Sequence, residues 1–401
     1  MLYLDFETFS DIDLIFYGLL RYALGQSTGV HCMAYCFDDG PILFWWSDEP
    51  FPQAVIDHIE DGGLVMAHNA GFEKAIFDHV LSRTHNITPP HNTQWRCSMA
   101  LGLASGFAGG LDALATGLGL PYRKNPHGAR LIREYCAPNF LKNFKPGDAQ
   151  LMEDYCISDV EVMRAAVQCL RPFTDQEWDE YHINAVINER GLPIDVQFCE
   201  AAIAYSRQVA ADANLNIEQI TNGKVKKTTE RKSRDEWLLP KLTRTQKELL
   251  EVVNKNGDTT HSFDVGHRRQ LLNCDDLDPD ARLFLEYIED AGSSALKKYA
   301  VAAHQHVDGR VHNTFLWNGA GRTGRYSGKG LQPHNIRRDV FAPPQAESLI
   351  GQIVEGEKVD KPAETMARLL RAMITHEDGL AWVDWSSIEG IECFLVGSGE
   401  S

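Results

Sequence analysis

The sequence predicts a chain that begins as an α/β layer, continues as a mainly helical region and ends in a mixed α+β segment. Three observations predict this order. Short runs rich in β-branched and aromatic residues come first and then alternate with helical patterns. From about residue 173 the apolar spacing is almost wholly helical. Past Gly309 the chain changes to loops rich in glycine and arginine, with short strands between them.

The α/β layer is predicted from the apolar runs and the residues that interrupt them. We expect strands over residues 2–9, 30–37, 41–46 and 64–68. We expect helices over residues 51–63, 69–82 and 98–120, the last as a pair with a Gly-rich break. A long helix follows between Gly147 and Pro172. We therefore predict three domains, over residues 1–172, 173–312 and 313–401. This number agrees with the usual domain length of about 150 residues.

Composition excludes several classes of protein. Hydrophobic residues make up 43% and charged residues 24% of the chain, and no apolar run reaches the roughly 18 residues of a membrane span. The N-terminus lacks the basic segment of a signal peptide, so we expect a cytoplasmic protein with no membrane partner. The nine cysteines show no CxxC pair, which argues against a disulfide framework or a zinc site.

The formal net charge of −17 argues at first against a nucleic-acid partner. Residues 224–247 are a local exception, because this basic segment carries nine Lys/Arg and three acids. Two interpretations stay open. The segment is either a solvated surface or a contact with backbone phosphates.

Two carboxylates, Asp5 and Glu7, stand one residue apart in the first apolar run, "MLYLDFETF". Residues i and i+2 of a strand point to the same face, so the two charges should project together. Such charges repel each other unless a cation lies between them. The pair therefore indicates a site for a divalent metal, although alone it is a weak signal.

Two later stretches strengthen this indication. Asn69 and Glu73 in "AHNAGFEKAIFDHVL" are four residues apart, and so are Tyr155 and Asp159 in "EDYCISDVEVM". In this order the three motifs resemble those of the DEDD exonucleases, in the branch that contains tyrosine. The resemblance covers residues 1 to about 170 and implies a ribonuclease-H-like 3′-to-5′ exonuclease domain.

The resemblance also implies roles for these residues. Phosphodiester hydrolysis in this family uses two Mg²⁺ or Mn²⁺ ions, which hard oxygen ligands hold about 3.5–4 Å apart. Asp5 would bridge both metals, Glu7 and Asp159 would complete the first site, and Glu73 would serve the second. Tyr155 would orient the water. By the same resemblance, Thr8 and Asn69 would contact the terminal nucleotide.

Glu73 departs from the family pattern, which usually has aspartate there. Asp78 is an alternative, but five residues along a helix is about 500° of rotation, roughly 140° away from Glu73. Only one of the two can face the metals. We favour Glu73 because it keeps the family spacing from Asn69.

The rest of the chain resembles the family A DNA polymerases, the group of bacterial polymerase I and its phage relatives. "INERGLPID" is similar to the opening that follows their exonuclease domain, and "DGRVHNTFLWNGAGRTGRYSGKGLQPHNIRR" to their primer–template segment. Arg325, Gln332 and Asn335 match the positions that contact the minor groove, where contacts are nearly independent of sequence. The resemblance thus implies a helical thumb region and an incomplete α+β palm.

"LAWVDWSSIEGI" resembles polymerase motif A. On that pattern Asp384 would bind Mg²⁺, the carbonyl of Trp385 would be a second contact, and Glu389 would exclude a ribose 2′-hydroxyl. The later motifs of the family, which bind the triphosphate and supply a second palm carboxylate, do not follow in the sequence given. We therefore expect no nucleotidyl transfer from this chain alone and hypothesise a split or interrupted gene.

The function expected from the sequence is a metal-dependent 3′-to-5′ exonuclease that acts on single-stranded DNA ends in replication. Two alternatives remain. The chain could be a non-catalytic DNA-binding half that requires a C-terminal polymerase fragment as its partner. It could also be an RNA-trimming enzyme of the same nuclease superfamily, although the polymerase motifs disfavour this.

Overall fold

The computed structural model of the protein describes residues 1–121, 125–254, 257–292, 295–321 and 323–375. It confirms the mixed α/β architecture. The helices and strands up to the end of the long helix are β1 (Leu2–Phe9), α1 (Leu14–Tyr17), α2 (Leu19–Leu24), β2 (Gly29–Phe37), β3 (Leu43–Trp46), α3 (Gln53–Glu60), β4 (Val65–Ala67), α4 (Gly71–Ile76), α5 (Ser82–Thr84), β5 (Trp95–Cys97), α6 (Ser98–Ala104), α7 (Leu111–Gly117), α8 (Gly128–Leu131) and α9 (Asp148–Cys169).

The remaining elements are mostly helices. They are α10 (Asp175–Arg190), β6 (Leu192–Pro193), α11 (Val196–Ile220), α12 (Arg231–Leu238), α13 (Arg244–Glu248), β7 (Glu251–Val253), β8 (Thr259–His261), α14 (Val265–Leu272), α15 (Pro279–Ala291), α16 (Ala295–Gln305), β9 (His306–Val307), β10 (Arg310–Val311), β11 (Phe315–Ala320), β12 (Arg325–Gly328), α17 (Pro343–Glu355) and α18 (Pro362–Arg368). Two π-helical turns, Phe77–Leu81 and Ile132–Cys136, extend α4 and α8.

The first part of the chain is built on a five-stranded sheet in the order β3-β2-β1-β4-β5. β1 pairs antiparallel with β2 and parallel with β4, and β5 continues the parallel half. β1 is therefore the central strand, and its apolar side chains Leu2 and Leu4 are fully buried. This position fixes the backbone that carries Asp5 and Glu7. A register shift between Glu7 and Thr8 bends the strand directly after the second carboxylate.

Three hydrophobic clusters form the interior of the described residues. The first lies within residues 2–173 and also includes Trp317. The second joins α11 and α16 to residues 331–373 and thus contains residues on both sides of position 312. The third packs the end of α11 against the segment from Val225 to Ile288. The boundaries 172 and 312 stay predictions.

Several short elements were not predicted. β5 lies where we expected no strand, and the region predicted to be almost wholly helical contains β6, β7, β8 and β9. β10, which pairs with β6 and β9, lies past Gly309, where we expected short strands. Each of these strands has two or three residues. Such runs are too short to show an alternating pattern, so periodicity cannot reveal them.

α9 begins at Asp148, whose carboxylate anchors the preceding segment. Arg130 donates two hydrogen bonds to it, at 2.9 and 2.7 Å, and the Tyr135 hydroxyl donates a third at 2.6 Å. These bonds hold the pKa of Asp148 well below its ordinary value, and the bonds from Arg130 have the largest effect. The network joins α8 and its π-turn to the start of the long helix.

We expect Asp148→Asn to unfold at lower urea concentration than wild type at pH 7. A carboxyl group with a lowered pKa contributes stability above its unfolded pKa of about 4, and that contribution is lost as pH falls through the folded pKa. The difference between the two urea midpoints should therefore narrow as pH is lowered from about 5 to 3. The exposed pair Lys232–Glu236 supplies the control, because Glu236→Gln should leave the midpoint unchanged at both pH values.

Candidate metal centre

The centre of the site is a group of three carboxylates from β1 and α9. Ligand oxygens of Asp5, Glu7 and Asp159 all lie within 4.8 Å of one another. Glu7 and Asp159 are buried, and Asp5 is half-buried. The alternation of side chains on β1 turns both of its carboxylates to one face, and α9 packs across that face. The structure thus brings together residues that the sequence separates by more than 150 positions.

Glu73 is a fourth acid beside this group. It lies in the first turn of α4 and is 3% exposed. Burial, followed by the negative charge of Asp5 and then of Glu7, raises the pKa of Glu73 well above its ordinary value. Its Oε2 atom is buried without a hydrogen-bond partner in the parts of the chain that the structure covers. A buried acceptor of this kind is costly unless something binds it.

The alternative acid, Asp78, is placed differently. Its carboxylate accepts a hydrogen bond of 2.6 Å from the Nζ of Lys74, which also contacts Glu189 of α10 at 2.7 Å. Asp78 lies in the π-turn Phe77–Leu81, so the α-helical rotation used in the sequence argument does not apply unchanged. Glu73 is therefore close enough to the β1 carboxylates for their charges to raise its pKa, whereas Asp78 forms an ion pair with Lys74.

Tyr155 lies on α9, one turn before Asp159, and is almost fully buried. Burial raises its pKa, and the charges of Glu7, Asp159 and Asp5 and a hydrogen bond with Asp159 raise it further. The phenol is therefore protonated at neutral pH. Its ring rests on Gly128, where an added Cβ would lie 2.5 Å from the ring atom Cε2. Gly128 therefore determines how far the ring extends toward α8.

Thr8 and Asn69 are the residues expected at the terminal nucleotide: Thr8 directly follows Glu7 on β1, and Asn69 lies two residues before α4. The hydroxyl groups of Thr8 and Tyr22 are hydrogen-bonded at 2.8 Å. Asn69 has φ of 65°, so it precedes α4 instead of belonging to it. The predicted helix over 69–82 is thus wrong at its first two residues. Asparagine tolerates this left-handed conformation better than most residues, which is why it can form the turn.

Two cysteines beside the carboxylates were missed by the sequence reasoning, which only argued against a disulfide framework and a zinc site. Cys156 Sγ lies 3.4 Å from the backbone oxygen of Asp5 and 3.9 Å from its Oδ2. Cys136 Sγ lies 3.9 Å from Glu7 Oε2. Burial raises the pKa of both thiols, so they remain protonated weak donors. The spacing of Cys156 and Asp159, three residues on one helix, was a usable signal.

The residues matched to the primer–template segment lie elsewhere. Arg325 begins β12 and is exposed. Gln332 has φ of 50°, and the side-chain amide of Asn335 donates to its Oε1 at 3.1 Å. The structure therefore pairs the last two side chains with each other. Asp384, Trp385 and Glu389 lie outside the described residues.

The donor set suits a hard divalent cation. Asp5, Glu7, Glu73 and Asp159 offer only carboxylate oxygens, the ligands that Mg²⁺ and Mn²⁺ prefer. Glu73 also indicates a cation. A bound cation would bind its buried Oε2 and would stabilise the charged carboxylate, whose pKa is raised without it. These four residues would hold the ions.

Comparisons with known proteins find likeness in sequence and in fold over most of the chain. No family model matches it. A DNA polymerase of Bacillus phage SP02 is 27% identical over 355 residues, which is 83% of this chain and 50% of that protein. A solved structure of the POL domain of Pol1 from M. smegmatis, in complex with DNA primer-template and dNTP, has a TM-score of 0.52 at 15% identity. That match covers 95% of this chain and 55% of the other.

The chain spans about half the length of each of these relatives. The fold is similar to that of the solved polymerase domain over almost the whole chain, and the sequence is similar to that of the phage polymerase. Among the described residues, no helix combines the length and the apolar character needed to cross a membrane. The resemblance to family A DNA polymerases predicted from the sequence is therefore confirmed: this chain is similar to them in both sequence and fold.

Proposed function

We propose that the carboxylate group is the centre of a metal-dependent 3′-to-5′ exonuclease that acts on DNA. The observation that carries this proposal is the convergence of Asp5, Glu7 and Asp159 within 4.8 Å, with the buried Glu73 beside them. When bound there, two divalent ions would activate a water molecule and stabilise the leaving 3′-oxygen.

The other side chains position the substrate. Tyr155 is protonated and hydrogen-bonded to Asp159, so it orients a water through its hydroxyl group and does not act as a base. Thr8, which follows the bend in β1, would contact the terminal nucleotide. Asn69, at the turn before α4, would do the same.

DNA is the proposed substrate and partner. The relatives are a DNA polymerase and a polymerase domain in complex with DNA primer-template. The basic segment, residues 224–247, adds cations. Lys224, Lys226 and Lys227 are exposed, and no carboxylate of the described chain lies within ion-pair distance of them. Single-stranded ends should be preferred, because the terminal bases must be unpaired to reach a buried site.

The test is digestion of an end-labelled single-stranded DNA oligonucleotide by the full chain with Mg²⁺ or Mn²⁺. We expect a ladder that shortens from the 3′ end, that EDTA abolishes and that Asp5→Ala and Asp159→Asn each reduce by about a hundredfold or more. Asp57→Ala, which removes an exposed acid of α3, is the matched control and should leave the rate unchanged.

An intact oligonucleotide with both metals, or a ladder that persists in both variants, would refute the proposal. An RNA oligonucleotide of the same sequence separates a DNA exonuclease from an RNA-trimming enzyme, because the latter should digest RNA faster.

The primer–template segment favours a second candidate function. Arg325 is exposed, and Gln332 and Asn335 lie on the same segment with amide groups that can bond to base edges in the minor groove. This candidate is the DNA-binding half of a polymerase, with a C-terminal polymerase fragment as its partner. Primer extension after co-expression with such a fragment is the test, since only complementation would yield synthesis.

A further inference from the structure

Helix α4, which carries Glu73, is short and irregular at both ends. It has six residues, follows the left-handed Asn69 and continues into the π-turn Phe77–Leu81. Ile76 and Phe77 are fully buried and anchor its last turn. A single regular turn does not by itself fix the direction of a side chain at the other end. Contacts with other elements must therefore help to direct Glu73, which lies in the first turn.

One ion pair joins α4 to α10. The Nζ atom of Lys74 lies 2.7 Å from Oε1 of Glu189 and 2.6 Å from Oδ2 of Asp78. The Lys74 side chain is only 15% exposed, so its ammonium group is largely removed from water and is held between the two carboxylates. Asp78 is four residues after Lys74 in the same helical segment. Only the bond to Glu189 therefore connects this lysine to another element.

Glu189 lies in a part of α10 that is itself fixed. The Nδ1 of His312 donates a hydrogen bond of 2.8 Å to the backbone oxygen of Glu189. The side chain of Asn188 donates to the backbone oxygen of Phe315 at 2.8 Å and accepts from its backbone N–H at 3.0 Å. The last turn of α10 is thus bonded to residues 312–315, and α4 is attached to it through Lys74.

Lys74 and Glu73 are neighbours in sequence, so their side chains leave the helix about 100° apart. A bond that holds Lys74 against α10 therefore also limits the directions available to Glu73. In the structure Glu73 is close enough to Asp5 and Glu7 for their charges to raise its pKa. Without the bond to Glu189, the first turn of α4 could rotate and carry Glu73 away from the β1 carboxylates.

We propose that Glu189 is a positioning residue of the carboxylate centre: it holds Lys74 and thereby keeps Glu73 directed at the metal ions. The inference rests on the proposed function, which assigns Glu73 to a metal. It makes α10, which lies outside the predicted nuclease domain of residues 1–172, a necessary part of the metal centre. Glu189 is half-exposed, so the ion pair contributes little to stability and acts on geometry.

The test is a titration of the full chain with Mn²⁺ in the absence of DNA, followed by electron paramagnetic resonance. We expect Glu189→Gln to weaken the binding of one ion by about tenfold and to leave the number of ions bound at saturation unchanged. A purely structural defect would instead lower that number, because fewer chains would be folded. Asp78→Asn is the matched control. It removes the other carboxylate from the same ammonium group and should change the affinity by less than about threefold.

A double-mutant cycle shows whether Glu189 acts through Glu73. Glu73→Gln should itself weaken the binding of one ion, and adding Glu189→Gln should then have no further effect. An unchanged Mn²⁺ affinity in Glu189→Gln overturns the inference, as do additive effects of the two substitutions. Absence of Mn²⁺ binding by wild type overturns both this inference and the proposed function. If wild type binds Mn²⁺ but does not digest DNA, only the exonuclease proposal fails, and the cycle still decides the role of Glu189.

Discussion

We expect Glu73→Gln to lower the exonuclease rate by about a hundredfold or more, while Asp78→Asn changes it by less than about threefold. Both substitutions neutralise an acid of the same helical segment. Glu73 is buried beside Asp5 and Glu7, whereas Asp78 is bound to Lys74. The measurement is the initial rate of single-stranded DNA digestion in saturating Mg²⁺.

The two variants should also differ in stability without metal. A carboxyl group whose pKa is raised on folding destabilises the protein at pH values above its unfolded pKa, so Glu73→Gln should melt at a higher temperature than wild type in EDTA at neutral pH. Asp78→Asn breaks an ion pair and should melt slightly lower. If Asp78→Asn abolished digestion and Glu73→Gln left it intact, Asp78 and not Glu73 would be the metal ligand.

We expect Gly128→Ala to lower the exonuclease rate by about tenfold or more without unfolding the chain. An added Cβ would lie 2.5 Å from Cε2 and 2.9 Å from Cζ of Tyr155, so the ring must move. Because the ring carries the hydroxyl that is bonded to Asp159, that group would leave its position. Gly351→Ala on α17, where an added Cβ would meet no atom of the described residues within 4 Å, is the control and should keep the full rate.

A double-mutant cycle shows whether Gly128 acts through Tyr155. Tyr155→Phe removes the hydroxyl and should lower the rate by itself. Adding Gly128→Ala to Tyr155→Phe should then cost little more, because the group that Gly128 positions is already absent. Additive effects of the two substitutions would show that Gly128 acts by another route and would contradict this positioning role.

The central part of the site follows from short-range rules that a sequence displays. An apolar run with two acids at positions i and i+2 predicts a strand with both on one face, and β1 has this geometry. The long helix and its boundary residues were equally visible, and α9 occupies Asp148–Cys169 within the predicted limits. Periodicity and helix boundaries are properties of neighbouring residues, which is why they are readable from one chain.

Other features depend on contacts between distant segments. Gly128 of α8 packs closely on Tyr155 of α9, and nothing in the sequence around either residue indicates this contact. The left-handed Asn69 and the π-turn after α4 are local, but regular helical spacing conceals them. The sequence favoured Glu73 over Asp78 by its spacing from Asn69 alone, since the choice depends on which face of an irregular helix meets the sheet.

The distance along the chain between β1 and α9 affects how the protein is made. Cys156, which contacts Asp5, is 151 residues further along the chain. At translation rates of about 5–20 residues per second, β1 emerges from the ribosome roughly 8 to 30 seconds before its covering helix. During that interval the apolar face that α9 later covers is exposed in the nascent chain, so it is a binding surface for chaperones before it is part of the interior.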